Sequence, residues 1–515
     1  MKRILGAARW VAIAALIGAM AACSGSDGGG EGDSSMLKAG SLLQPSSLDP
    51  VNVTGGHDMT FLRLIYDRLL EVDADTGQVK EGLATEWGYS DDGKTFSLTL
   101  REGVKFSDGT PVDAEAVKAN LERNFKLTKL GLITSVDSVE VVSPTELKLT
   151  MGEDSAWLAE QLAHNSGYMV SPAAFEESPD DVSGNPIGSG PYVIEKNVSG
   201  SQIVFKKNAD YWNEDRGFYE SIDLKFFKTP VSMNQALQSG QIEVAARTSL
   251  TDIDTLKKAE GIEVEVNPSL AHYHVQFNMA SPKLEDKRVR EAFNYALDRE
   301  ALAEAATGGY GEATQSMYPP SSEYSSDATQ SLYSYDPAKA KQLLADAGFA
   351  DGIELKCVTY TGSGYETSSP YILEQLDAVG IKVDLEISEL TEVMANFYKG
   401  GDMAAARKAP DCYFTSWPSQ PTPRDTFNAE YGKSIYNVGH AEVVPWEMLE
   451  QFEKTLDPAE RVKLAQEIQI AAADNPNMAN MYTKPKAFAH RSSVEPHEPN
   501  LLEFDIDMAA LRPAE

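Results

Sequence analysis

Thirteen uncharged residues, Trp10 to Ala22, set the first limit on this chain. A helix that crosses a bilayer needs about 20 apolar residues, so the run is too short to span. It follows Lys2, Arg3 and Arg9 and closes on small residues, the layout of a secretory leader with a basic start, an apolar middle and a small-residue cleavage site. Met1 to Ala22 is therefore expected to be removed. No second apolar run approaches spanning length, so the rest should fold as a water-soluble body. Taking 22 residues from 515 leaves 493, more than one hydrophobic core accommodates, and two or three lobes are expected.

Met20-Ala21-Ala22-Cys23 resembles the bacterial lipobox, with Met in place of the usual Leu. That resemblance implies cleavage before Cys23 and a lipid attached to it; the plain alternative is a secreted protein cut nearby. Ser24 to Ser35 contains only Gly, Ser, Asp and Glu, which cannot bury a core and acts as a flexible tether with a reach of roughly 20 Å. Formal net charge is −33, and losing the three positive charges of Lys2, Arg3 and Arg9 takes it to −36. Such acidity mostly serves solubility and disfavours nucleic acid and anionic membrane surfaces as partners. Cys357 and Cys412 remain after Cys23. In an oxidising compartment they can pair, or stand as two buried thiols.

The first third reads as short strands and hairpins with helices inserted. Phe96, Leu98 and Leu100 alternate with Thr95, Ser97 and Thr99, the pattern of a half-buried strand. DAEAVKANLERNF and DSAWLAEQLAH read as helices, and Val139 to Met151 as a hairpin around Ser143-Pro144. Beyond residue 270 longer helices alternate with strands. In DKRVREAFNYALDRE, Val289, Ala292, Phe293, Ala296 and Leu297 share one helical face. Asp336-Pro337 and Asp457-Pro458 are helix starts, and Gly348 a stop. ELKCVTY, IKVDLEIS and DCYFTSW are strands between such helices, which predicts an α/β lobe with helices packed on a sheet.

Catalytic patterns fail one by one. Gly88 to Thr95 matches the phosphate-loop pattern G-x-x-x-x-G-K-[ST], but an alternating strand follows it, no helix N-terminus is there to hold an anion, and Asp91 and Asp92 repel phosphate. A hairpin turn is the better reading. Ser35-Met36-Leu37-Lys38 is the one S-x-x-K and ends the tether; no nucleophile elbow, H-E-x-x-H or paired C-x-x-C occurs. His272 and His274 would share a face of one strand, opposite Tyr273, but two ligands do not close a metal site. No cofactor is implied.

GLATEWGYSDDGKTFSLTLREGVKFSDGTPVDAEAVKANLER closely resembles the signature region of the peptide/nickel (oligopeptide/dipeptide-binding) class of extracellular solute-binding proteins of ATP-binding cassette importers. GSGPYVIEK with NADYWN, ALQSGQIEVA, FNMASPKLEDKRVREAFNYALDRE, GYGEATQSMYPP and YSYDPAKAKQLLADAGFADG are similar to later blocks of that family, in its order. The resemblance covers about Leu42 to about Ser493. It implies a two-lobed, hinged, periplasmic-binding-protein-like α/β fold: a first lobe over 36–270 with an inserted subdomain at about 57–182, a second lobe over 271–480, and a return to the first lobe over 481–515. The hinge crossings are expected near His272 to Asn278 and Asn480 to Lys484. The implied function is a non-enzymatic, lipid-anchored, monomeric receptor outside the cytoplasm. It would deliver a peptide or peptide-like polar solute to permease subunits and their ATPases. A nickel-type chelate or a sugar is the alternative ligand; a secreted hydrolase is the alternative from another class, as is a lipoprotein without transport.

In peptide-binding members a W-x-x-D segment presents an aspartate to the peptide's ammonium; here Trp417-Pro418-Ser419-Gln420 puts Gln420 at that place. An amide compensates a buried ammonium less than a carboxylate does. Asp425 is the candidate substitute, and Arg424 suits a carboxylate. Trp417 and Ser419 match the cleft-facing segment, and Tyr273, Tyr360 and His57 are further candidate ligand contacts.

Overall fold

The computed structural model describes residues 35 to 514 apart from 54–55, 74–77, 128–135, 153–155, 178–180, 268, 362, 400–401, 418–421 and 498–505. The leader, Cys23, nearly all of the tether, Ser419 and Gln420 therefore lie outside the described residues. Among the described residues no helix is long and apolar enough to cross a membrane.

Three main sheets organise the body. A seven-stranded sheet runs in the order Ile262–Asn267, Lys486–Arg491, Val244–Thr248, Met36–Ser41, Ser221–Phe226, Gln202–Lys207, Tyr192–Val198. Its middle strand, Met36–Ser41, is parallel to both neighbours and supplies buried Leu37 and Ala39 to the core. A five-stranded sheet runs Ile381–Ser388, Ile353–Tyr360, Cys412–Trp417, His272–Phe277, Met478–Thr483. A four-stranded antiparallel sheet, Ala84–Tyr89, Thr95–Leu100, Glu146–Met151, Val136–Ser143, carries its own core of Phe96, Leu98, Leu147 and Leu149 against the helix Ala114–Leu127.

Connectivity between the two larger sheets is sparse. The chain leaves the seven-stranded sheet after Asn267 and enters the five-stranded sheet at His272; it leaves that sheet at Thr483 and re-enters the first at Lys486. Between Thr483 and Lys486 stand Lys484 and Pro485 alone. The Lys484 amide donates to the Ala271 carbonyl at 2.7 Å, which ties the two crossings side by side. The chain end returns to the seven-stranded side, where buried Asp507 pairs with Arg216 at 2.8 Å and Arg63 at 3.1 Å. Burial opposes that charge, but Arg216 and then Arg63 outweigh it and hold the carboxyl well below its usual range.

Local signals explain most elements. Asp336 accepts the Lys339 amide at 2.9 Å and Asp457 the Glu460 amide at 2.8 Å, each capping a helix opened by proline. The phosphate-loop lookalike is a hairpin between antiparallel strands. Asp92 Oδ1 accepts from Ser90 Oγ and the Lys94 amide, and Gly93 takes φ +69°, which a side chain would resist. Two elements differ from the sequence reading. DKRVREAFNYALDRE is two helices, Lys287–Tyr295 and Arg299–Thr307, because Asp298 caps the second by accepting the Ala301 amide. All five apolar positions of the stripe are nonetheless fully buried. Among the described residues of DSAWLAEQLAH, Leu158–Leu162 are α-helix. Trp157 packs on Phe452, with ring centroids 5.0 Å apart. Cys357 and Cys412 form a disulfide between adjacent parallel strands, where they are register partners with Cα atoms 4.5 Å apart.

Candidate functional site at the strand crossings

Two regions stand out, and Leu270, whose carbonyl lies 3.3 Å from His272 Nδ1, lines the larger. The larger is a cavity of about 540 Å³ between the four-stranded sheet and the start of the helix Pro458–Ala473, within the range of roughly 300–1,000 Å³ usual for small-molecule sites. Trp87, Tyr89, Trp157, Tyr318 and Tyr324 give it aromatic walls. Two of its charges are matched: Arg461 pairs with Glu160 at 2.7 Å and lies 4.3 Å over the Trp157 ring. Burial raises the Glu160 carboxyl, and Arg461 opposes that shift.

The smaller region is the crossing itself. From the seven-stranded side come His57 and Arg247, which line one recess with Thr60 and Phe61. His57 Nε2 lies 3.4 Å from Asp58 Oδ1, and Asp58 is otherwise occupied by the Ser46 amide and hydroxyl. From the five-stranded side comes Tyr273, half-buried, edge-on to Tyr365 at 5.2 Å and against Tyr482 at 5.0 Å. Gly364, at φ +93°, gives Tyr273 its room: a Cβ there would stand 2.5 Å from the phenol oxygen. Lys484 places Nζ 5.1 Å over the Tyr273 ring. Its ammonium is pushed below the ordinary lysine value, first by burial and then by Arg247.

Trp417 ends its strand opposite His272 and meets Tyr436 edge-on at 5.3 Å. Its indole nitrogen is buried without a hydrogen-bond partner among the described residues. Behind it Gln276 donates to the Tyr436 carbonyl at 2.6 Å and to buried Glu430 at 2.9 Å, and accepts from the Tyr398 hydroxyl at 2.7 Å. Tyr360 packs beside Tyr413, ring centroids 6.4 Å apart. Arg424 turns to its own chain, bonding Glu453 at 2.5 Å and Asp425 at 2.9 Å, while Asp425 also accepts from Thr422 at 2.8 Å. His272 and His274 are 1% exposed with ring centroids 5.2 Å apart; burial lowers the first imidazole to about 4 and, with His272 beside it, holds the second well below its ordinary value, which disfavours charge on either. Among the described residues the one group of His and acids close enough to hold an ion is Glu263, Glu265 and His490, on adjacent strands of the seven-stranded sheet.

Sequence reasoning named Tyr273 and the crossing at Lys484 but missed Lys484 and Arg247 as site residues, along with the Trp157 cavity. The lysine was legible as a lone cation in the two-residue link between apolar strands. Its neighbours, distant in sequence, were not.

Residues 78–437 match the bacterial extracellular solute-binding proteins, family 5 Middle. The chain belongs to this family. Among its relatives, the glutathione-binding protein GsiB of Salmonella paratyphi A is 30% identical over 392 residues, covering 74% of each chain. GsiB of Escherichia coli K12 is 28% identical over 438 residues, 81% of this chain and 83% of that one. Among solved structures, the ABC transporter substrate-binding protein CtaP of Listeria monocytogenes superposes with a TM-score of 0.82 at 22% identity, covering 93% of this chain and 99% of that one. The periplasmic binding protein DppA of Helicobacter pylori, in complex with the peptide STSA, gives 0.76 at 20%, covering 93% and 98%. NikZ of Campylobacter jejuni, in complex with Ni(L-His), gives 0.74 at 21%, covering 91% and 96%. These likenesses establish the two-lobed periplasmic-binding-protein fold.

Proposed function

We propose that this family member is the lipid-anchored receptor of an ATP-binding cassette importer, enclosing a peptide or peptide-like polar solute between its lobes without turning it over. The observation that carries the reading is the pair of adjacent crossings joining the two large sheets, 2.7 Å apart at Lys484 and Ala271. Two short connections permit hinge closure, and aromatic and cationic side chains stand beside them. Ligand then stabilises the closed form by contacts made only there, and a permease can read that state. The names of the relatives support a small peptide such as glutathione; the solved neighbours that hold a peptide or a nickel–histidine chelate keep the chelate as second reading. Met20-Ala21-Ala22-Cys23 supports the anchor, and Ser24 to Ser35 the tether that keeps the receptor near its permease. The lobes are proposed as 36–270, with the four-stranded sheet in the insertion, then 271–480, with 481–515 returning.

A thermal-shift screen of purified protein tests this, with glutathione, di- to pentapeptides, their N-acetylated forms, sugars and nickel–histidine chelates. A ligand at 100 times its dissociation constant adds about 2.7 kcal/mol. Stabilisation by peptides or glutathione is the expected result. Stabilisation by chelates alone moves the assignment to the second reading, hydrolysis of any peptide revives the enzyme, and no shift with any compound contradicts the proposal. Incorporation of a fatty-acid label that Cys23→Ala abolishes is expected for the anchor; an unlabelled wild-type protein rejects it.

A further inference from the structure

The link from the five-stranded to the seven-stranded sheet is two residues long, and one of them is Lys484. Structural lysines in folded proteins keep their ammonium in water or pair it with a carboxylate. Lys484 does neither fully. It is half-buried, its Nζ lies over the Tyr273 ring at 5.1 Å, and it has no ion pair among the described residues. The ring face attracts the cation but accepts none of its three N–H donors as a carboxylate would.

A second cation sharpens the point. Arg247 precedes Thr248, whose partner on the returning strand is Ala487, three residues beyond Lys484. Two like charges brought together at a half-buried crossing disfavour each other, and the charge of Arg247 does bear on Lys484. The protein carries 78 acidic against 45 basic residues and still pairs none of those acids, among the described residues, with this lysine. A site that gathers positive charge inside so acidic a chain is suited to capture an anion that the rest of the surface repels.

We propose that Lys484 and Arg247 form a carboxylate-binding locus at the hinge, with Tyr273 holding the lysine in place, so that the transported solute is one bearing a free carboxylate. The inference rests on the receptor reading above and names its substrate class. It also accounts for how ligand would favour closure: Arg247 stands on one large sheet, Tyr273 on the other, and Lys484 on the link, so one carboxylate engages all three only when the lobes are in register. Gln420 in place of an aspartate agrees with a site that recognises the acid end of its ligand before any amine end.

The test is calorimetric titration of wild-type protein, Lys484→Gln and Lys484→Arg with stabilising peptides and with the same peptides as C-terminal amides. Wild type should bind the acids about 30-fold or more tightly than the amides; Lys484→Gln should lose that factor for acids while binding amides within about threefold of wild type, and Lys484→Arg should keep most of it. Equal affinity of wild type for acid and amide overturns the locus, and this arm needs no variant to fold. Undiminished acid binding by Lys484→Gln overturns it too. Should sugars or phosphate-bearing solutes bind while no carboxylate does, the carboxylate locus falls and the receptor reading stands; if nothing binds, both fall.

Discussion

The cavity beside the four-stranded sheet and the recess at the strand crossings differ in how their charges are met. In the cavity the wall charges Glu160 and Arg461 neutralise each other across 2.7 Å, and aromatic faces make up much of the rest. At the crossing a lysine and an arginine approach each other, and the lysine has no anion beside it among the described residues. The buried ion pair of the larger space is thus met within the wall, and the lysine of the crossing is not met by an anion among the described residues. Volume reports on packing; a charge left without its counterpart reports on what is meant to arrive. Four experiments separate the two regions, in order of expected effect.

The largest effect should come from the platform under the crossing. The disulfide Cys357–Cys412 closes a separation of 55 residues within the five-stranded sheet, and chain entropy assigns such a loop about 4 kcal/mol. Changing both cysteines to alanine should lower unfolding stability by that order in urea titrations under oxidising conditions, and the reductant sensitivity of wild type should vanish in the variant.

Next, Arg461→Met should cost about 3 kcal/mol because Glu160 is left largely buried and unpaired. The double variant with Glu160→Gln should recover most of this loss, and its affinity for the stabilising solute should stay within about threefold of wild type. A specific loss of binding in the double variant would move the ligand's charge contacts into the cavity.

Glu430, fully buried behind Tyr436, gives a pH-dependent signal. Burial raises its carboxyl to about 8, with the Gln276 hydrogen bond opposing. The folded state therefore holds a proton that the unfolded state releases near pH 4.5. That stabilisation is complete below about pH 4.5 and is lost as pH rises toward 8, with a slope of up to about 1.4 kcal/mol per pH unit within the window. Glu430→Gln should flatten that part of the stability profile, measured by denaturant unfolding between pH 4 and 9. A profile unchanged in slope would mean that Glu430 titrates elsewhere.

Smallest is Tyr273→Leu, which removes the ring under Lys484. A cation over an aromatic face contributes about 0.5–2 kcal/mol, so carboxylate affinity should fall about fivefold while binding of amides is barely altered. Equal losses for both would assign Tyr273 to shape rather than to charge.

Elements written in local periodicity were readable from sequence, and the site was not. The buried stripe of Val289, Ala292 and Phe293, the caps at Asp336 and Asp457, and the Asp92-Gly93 hairpin each depend on residues within a few positions of one another. The resemblance of successive blocks to one family supplied the order of elements and hence the fold. Tyr273 and Lys484 meet, within the electrostatic reach of Arg247, because the chain leaves one sheet and returns to it more than two hundred residues later, and no period in the sequence encodes that approach. Arg424 illustrates the same limit: its chemistry suits a carboxylate, and the structure shows it holding Glu453 and Asp425. The pairing of Cys357 with Cys412 was open in the sequence for the same reason, since only the register of two parallel strands puts them opposite each other.

In the proposed receptor two lobes close on a solute at their shared crossings. Small-angle X-ray scattering of the purified protein, with and without a saturating amount of the solute that stabilises it most, tests this directly. The expected result is a smaller radius of gyration on binding, a change that Lys484→Gln abolishes at the same concentration of a carboxylate solute and restores only at much higher concentration. Identical scattering in the free and saturated states would contradict closure.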